Sequence, residues 1–155
     1  MKIKLYYISK KDKELASIIE EQEKRINQYI NFESIRIEPG KSNSSDPNKR
    51  KEEEEQKLLS KVQENAYCII LNKTGKHFTS KEFAAKLKDL AVSGTKNIIF
   101  IIGGAYGFSN KVKEKGDLNL SISKMTFPHQ LTRLIFTEQL YRAFTIIKGH
   151  PYHNE

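Results

Sequence analysis

Five apolar residues in a row, Ile98-Ile99-Phe100-Ile101-Ile102, form the strongest hydrophobic pattern in the chain. An unbroken run of β-branched and aromatic positions suits a strand covered on both faces, the usual situation in parallel sheets. Apolar stretches at Ile3–Ile8, Tyr67–Leu71 and Leu118–Ile122, and a weaker one at Ser34–Glu38, predict four more strands. The segments between them change to helical spacing. Leu15, Ile18, Ile19, Ile26 and Tyr29 predict an amphipathic helix capped by Asp12. Asn48–Val62 predicts a second, with the Glu52–Glu55 run on its solvated face. Thr79-Ser80-Lys81-Glu82 has the pattern of a capping box ahead of Phe83, Leu87, Leu90 and Ala91, and Gly94 closes that helix. A short helix is expected at Asn110–Lys115. A long one begins at Pro128, whose missing N–H costs nothing in a first turn. Turns are expected at Lys73-Thr74-Gly75-Lys76, and a flexible loop from Pro39 to Pro47.

Strands alternating with helices argue for an α/β fold, a mainly parallel sheet flanked by helices. At 155 residues, the chain is expected to be a single domain over 1–155. Apolar residues make up 37% and charged ones 30%, so a modest core and one extra apolar interface, such as a dimer contact, are expected. The last helix carries two apolar stripes, Leu131/Leu134/Ile135 and Leu140/Phe144/Ile147. Both flanks are therefore expected to be buried, one of them against a partner subunit.

Charge is unevenly placed. Residues 1–64 hold 14 Lys/Arg against 13 Asp/Glu, and residues 65–155 hold 13 against 6, so nearly all of the net +8 lies in the second part. That half is either a polyanion-binding face or a merely soluble lysine-rich surface. Cys68, the only cysteine, falls inside an apolar run, so an inert buried thiol and a reducing, cytoplasmic setting are expected. No apolar stretch approaches the roughly 20 residues that span a bilayer, and the first residues read as a strand, so no membrane partner is expected.

Chemistry is concentrated where strands end. Ile98–Ile102 drops into Gly103-Gly104-Ala105-Tyr106-Gly107, and ligands of parallel sheets collect at the carboxyl ends of strands. The glycines lack the Lys-Ser/Thr of a P-loop and the G-x-G-x-x-G spacing of a dinucleotide site, so a plain structural turn stays open beside a binding loop. The Leu71-Asn72 strand end, the glycine loop and the Ser123–Phe127 loop each follow a predicted strand. Their convergence at one sheet edge is the binding-site hypothesis.

Four separated segments carry a resemblance: Ile-Ile-Gly-Gly-x-x-Gly at 101–107, Leu-Ser-Ile-Ser-Lys-Met-Thr-Phe-Pro-His-Gln at 120–130, Glu138-Gln139-Leu140-Tyr141-Arg142-Ala143, and Pro151-Tyr152-His153. In this order, and over essentially the whole chain, they resemble the RlmH family of SPOUT-class methyltransferases. The resemblance implies a SPOUT-type α/β knot, with a C-terminal trefoil knot, working as a homodimer. It also implies transfer of a methyl group from S-adenosylmethionine to N3 of a pseudouridine in 23S rRNA, with the assembled ribosome as the expected substrate. By the same likeness, Leu71, Gly103, Ile122, Ser123, Lys124, Met125, Thr126 and Phe127 fall on cofactor-contacting positions, with Gly104 and Gly107 in the same loop. Tyr152 and His153 become the candidates for proton handling and, with Arg142, for substrate contact. The chain departs from the family tail at Asn154, where a basic residue is common, which shifts terminal phosphate contact to Lys148 or His150.

The chemistry suits these residue types. Adenine is read by backbone N–H and C=O groups where glycine permits close approach, with Leu71, Ile122 and Met125 against its apolar face. A sulfonium methyl is already activated, so the task is orientation of the nucleophile, and no metal is expected. His129, at a helix start, is expected neutral. His150 and His153 have no Cys or carboxylate cluster near them in sequence. Arg142 either contacts phosphate or pairs with Glu138 one helical turn before it. Two other readings stay open: a SPOUT enzyme acting on another RNA base, and a noncatalytic RNA-binding assembly factor.

Overall fold

The computed structural model describes residues 1–10, 14–40, 46–104, 107–152. Five strands, β1 (Lys2–Ile8), β2 (Asn31–Ile37), β3 (Tyr67–His77), β4 (Asn97–Ile102) and β5 (Leu118–Ser121), form one sheet in the order β2-β1-β4-β3-β5, every pair parallel. Five helices connect and follow them: α1 (Ala16–Asn27), α2 (Pro47–Leu59), α3 (Ser80–Val92), α4 (Asn110–Lys113) and α5 (His129–Ile147).

Period-two alternation in β4 divides the core. Ile98, Phe100 and Ile102 pack with Ile26 of α1, Phe83, Leu87 and Leu90 of α3, and Phe136, Leu140 and Phe144 of α5. Ile99 and Ile101 face the other way, onto Leu58 of α2, Val112 of α4, and Phe108 just before α4. This makes three layers, and it explains why β4 is apolar at every position.

Layering also positions the site. After β3 the chain leaves for the α3 face, whereas after the neighbouring β4 it leaves for the α4 face. Two adjacent parallel strands whose continuations diverge to opposite faces open a crevice at their carboxyl ends, the switch point where ligands of such sheets bind. Register aligns the rims: Tyr7 pairs with Ile102, Ile102 with Leu71, and Leu71 with Leu120.

Several expectations change. The turn predicted at Lys73–Lys76 lies within β3, which continues to His77. Leu71 and Lys76 both pair with Leu120, so residues 72–75 bulge out of the ladder. Gly75 makes the bulge possible, because a Cβ there would stand 2.7 Å from the carbonyl of Asn119. The Glu52–Glu55 run is not a solvated face, since Glu54 and Glu55 are buried. Leu131 is 36% exposed, and Leu134 and Ile135 are only half-buried, so one of the two α5 stripes is not covered within the chain. Ile18 points to solvent. Asp12 and the centre of the Pro39–Pro47 loop lie outside the described residues, and α1 begins at Ala16 with no side-chain cap.

The capping box of α3 is present in full: Glu82 N–H donates to the Thr79 hydroxyl at 3.2 Å and Thr79 N–H to the Glu82 carboxylate at 2.7 Å. Gly94 (φ +82°) and Gly149 (φ +66°) end α3 and α5 in left-handed turns with the two backbone bonds of a Schellman motif. Among the described residues, no helix is long and apolar enough to cross a membrane.

Candidate active site

At the carboxyl edge of the sheet lies a cleft of about 430 Å³, within the ~300–1,000 Å³ of small-molecule sites. Three strand ends wall it. β3 supplies Leu71 and the bulge Asn72-Lys73-Thr74, β4 supplies Ile102 and the glycines Gly103, Gly104 and Gly107, and the segment after β5 supplies Ile122, Ser123, Met125, Thr126 and Phe127. Phe108, Lys113, His129 and Thr132 complete it. The loops predicted to converge do so.

Local bonding holds each wall. The Asn72 amide donates to the side-chain oxygen of Asn119 at 2.7 Å, and its own oxygen accepts from the backbone N–H (3.0 Å) and hydroxyl (2.7 Å) of Thr74. The Ser121 hydroxyl reaches the carbonyls of Lys73 (3.2 Å) and Ser123 (3.0 Å), tying the bulge to the loop after β5. Ser123 then accepts from Met125 N–H at 3.0 Å, which turns the loop and leaves the Met125 side chain 73% exposed at the mouth. Gly107 has φ +64°, a conformation that disfavours any side chain. Gly103 and Gly104 are buried with space for no Cβ: one on Gly103 would stand 2.7 Å from the Phe108 ring, and one on Gly104 would overlap the Glu54 carboxylate.

Of the cofactor-contacting residues expected from the sequence, all but Lys124 line the cleft; Lys124 is exposed on the same turn. Asn72, at the strand end that the sequence marks, lines it too, and Lys73, Thr74, Ile102, Phe108, Lys113 and Thr132 join the wall beyond the residues that the sequence assigns to cofactor contact. Only the bulge, which no local pattern announces, brings Lys73 and Thr74 to the wall. His129 opens α5 beside the cleft, and burial holds its pKa below the ordinary histidine value, so it is neutral near pH 7. Burial, more than the helix terminus, is the cause.

Tyr152 and Arg142 are gathered elsewhere. Gly149 reverses the chain after α5, and the Tyr152 ring meets Tyr141 edge-on at 4.9 Å, its hydroxyl bonded to Glu138. Arg142 pairs with the same carboxylate at 2.8 Å and lies over the Tyr152 ring. Burial and the Glu138 charge raise the Tyr152 pKa. Thr132 is the last α5 residue on the cleft, and Glu138 is six positions on, ~9 Å along the axis. His153 lies outside the described residues. Among the described residues, no group of three or more His, Cys, Asp or Glu stands ready to hold a metal ion.

The fold has a counterpart among solved structures, and the sequence has relatives over its whole length. The family model described as "Predicted SPOUT methyltransferase" matches residues 1–153, and the chain belongs to that family. It is similar to proteins named ribosomal RNA large subunit methyltransferase H: that of Christiangramia forsetii is 45% identical over 156 residues, 99% of both chains, and that of Enterococcus faecalis 40% identical over 158 residues, again 99% of both. A solved structure described as "a probable methylase family protein" from Haemophilus influenzae Rd KW20 shares the fold at TM-score 0.54, with 11% identity, over 99% of this chain and 70% of that one.

Proposed function

We propose that this methyltransferase binds S-adenosylmethionine in the cleft and methylates N3 of a pseudouridine in 23S rRNA, on the assembled ribosome. The observation that carries the reading is the meeting of three strand ends in one glycine-floored cleft. Membership of the SPOUT family and the names of the full-length relatives support it.

The donor set fits such a cofactor. Gly103, Gly104 and Gly107 bring main chain to the cleft, Leu71, Ile102, Ile122 and Phe127 supply apolar walls, and Lys73 and Lys113 supply cations. That mixture suits a flat purine joined to a polar, charged amino-acid moiety. When bound, S-adenosylmethionine supplies a methyl group already activated on sulfonium. The protein's part is to orient the pseudouridine, to keep water from the cleft, and to favour loss of the N3 proton. Met125 at the exposed mouth and neutral His129 beside it are placed to exclude water and pack against a base.

In this proposal Tyr152, His153 and Arg142 engage the RNA, with His153 or Tyr152 handling the proton. Because Tyr152 and Arg142 sit away from the cleft of their own chain, the proposal includes a homodimer whose partner tail completes each site. The uncovered Leu131/Leu134/Ile135 stripe supports that pairing, since an apolar surface of this kind is stabilised by burial. The proposal extends to one SPOUT domain over residues 1–155, carrying the trefoil knot and residing in the cytoplasm.

A methyl-transfer assay on ribosomes with and without the pseudouridine, using wild-type protein and His153→Ala, tests the reading. Transfer to the pseudouridine-containing ribosomes alone is expected, with His153→Ala strongly impaired; equal transfer to both kinds of ribosome removes the substrate assignment. Mixed dimers of a cofactor-dead subunit and a tail-truncated one test the shared site. Failure of every mixture to recover activity would end that part.

A further inference from the structure

Glu54 and Glu55 are buried carboxylates with no part in the reaction above, and both reach the glycine loop. Glu55 accepts from the Ser109 backbone N–H at 2.5 Å and from the Ser109 hydroxyl at 2.8 Å. Ser109 in turn caps α4 by accepting from Val112 N–H. Glu54 lies on the opposite end of the loop, its Cδ 3.1 Å from where a Gly104 Cβ would stand, and it accepts from Gly40 N–H at 3.3 Å. Adjacent helical residues project about 100° apart, so two neighbouring carboxylates of α2 reach separate points: Glu54 packs against Gly104 and Glu55 bonds to Ser109. Burial raises the Glu54 pKa, opposed first by the Gly40 N–H bond and then by Lys57 and Arg50 on its own helix, while Glu53 adds to the rise.

Burying two acids in one helix costs free energy unless each is well bonded. A loop rich in glycine loses more conformational entropy on ordering than any other. Fixing the Ser109 end of such a loop in the free protein therefore removes part of an ordering cost from ligand binding. We propose that Glu55 is a positioning residue that, through Ser109, holds the Gly107–Ser109 side of the cleft in its ligand-receiving shape before the cofactor arrives, with Glu54 packed beside Gly104. The inference rests on the cleft being the S-adenosylmethionine site, and it assigns α2 the task of supporting that site from the far face of the sheet.

The test uses full-length wild-type protein with Glu55→Ala, Glu55→Gln and Ser109→Ala. Amide hydrogen exchange without cofactor, calorimetric titration with S-adenosylmethionine, and kcat and KM for the cofactor are measured, with thermal unfolding confirming that each variant is folded. In Glu55→Ala the Ser109 amide is expected to exchange at least about tenfold faster, and cofactor Kd and KM to rise about tenfold, the loss falling on KM rather than kcat. Glu55→Gln keeps an acceptor for the N–H and a polar partner for the hydroxyl, and is expected to recover most of the affinity. Ser109→Ala loses the hydroxyl bond to Glu55 together with the cap on Val112 N–H while keeping the backbone bond to Glu55, and is expected to raise Kd about threefold, which keeps the test open if Glu55→Ala does not fold. Unchanged Kd in folded variants, or a loss confined to kcat, overturns the proposal. Wild-type protein that does not bind S-adenosylmethionine overturns the functional reading first, and with it this inference, so the two failures are told apart by the wild-type titration.

Discussion

The Tyr152 hydroxyl lies 3.1 Å from Oε1 of Glu138, closing the chain back onto the middle of its own last helix. The same carboxylate pairs with Arg142 and accepts from Gln22 of α1 at 3.2 Å, so Glu138 joins the tail, α5 and α1. Tyr152 is still 36% exposed, and its bond adds little to folding. Tyr152→Ala is therefore expected to change unfolding free energy by less than ~1 kcal/mol while lowering methyl transfer at least about tenfold, a rate loss worth ~1.4 kcal/mol. Denaturant unfolding and single-turnover transfer, measured side by side, decide it; undiminished transfer would remove Tyr152 from the site.

Gly75 and Gly94 separate steric from conformational demand. A methyl at Gly75 meets the Asn119 backbone at 2.7 Å, and backbone in a ladder has little room to move. Gly75→Ala is expected to cost about 2–3 kcal/mol, at the upper end for overpacking, and to weaken cofactor binding because the bulge walls the cleft. Gly94 has open space around it but φ +82°. Gly94→Ala is expected to cost about 1 kcal/mol from the left-handed conformation alone, with cofactor affinity unchanged. Urea unfolding and calorimetry check both.

His129 links the cleft to pH. Its folded-state pKa is lowered by burial, so the unfolded chain binds the extra proton more readily. The stability contributed by the neutral ring is fully present above the unfolded value of about 6.5 and is lost as pH falls through the folded pKa. Replacing it with a residue that does not titrate, His129→Asn, is expected to flatten the unfolding free energy below about pH 6.5 relative to wild type. Parallel slopes for the two proteins would show that His129 does not titrate on unfolding.

Cys68 is buried beneath Asp117, whose carboxylate accepts from Cys68 N–H at 2.7 Å. Burial, followed by the Asp117 charge, pushes its thiol up to about 11. Since the thiolate is the reactive form, iodoacetamide at about pH 8 is expected to label native protein at least ~100-fold more slowly than protein unfolded in urea. Mass spectrometry of the alkylated chain reads the ratio, and equal rates would contradict the burial.

What was legible in the sequence was what neighbouring residues decide among themselves. The capping box at Thr79–Glu82, the αL glycine at Gly94, the apolar run of β4 and the glycines after it follow from periodicity and from backbone preferences within a few residues, and the structure has them. The position of Leu71, Gly103 and the Ser123–Phe127 loop on one cleft also followed, because parallel strands share a direction and so share an end.

Pairing across the fold was not legible. Glu54 and Glu55 read as solvated because a run of four acids ordinarily is; their hydrogen-bond partners, Gly40 and Ser109, lie outside that run and meet them only once α2 docks. The Lys73–Lys76 turn became strand because β5 offers it a ladder, and Lys73 and Thr74 joined the cleft through that pairing. The chain by itself determined which segments become strands and helices, and which strand ends carry open backbone. Tertiary structure alone decided which charges are buried, where β3 bulges, and that Tyr152 returns to Glu138. Local propensity acts over one or two turns of chain, whereas desolvation and hydrogen bonding between remote segments exist only after the layers have packed.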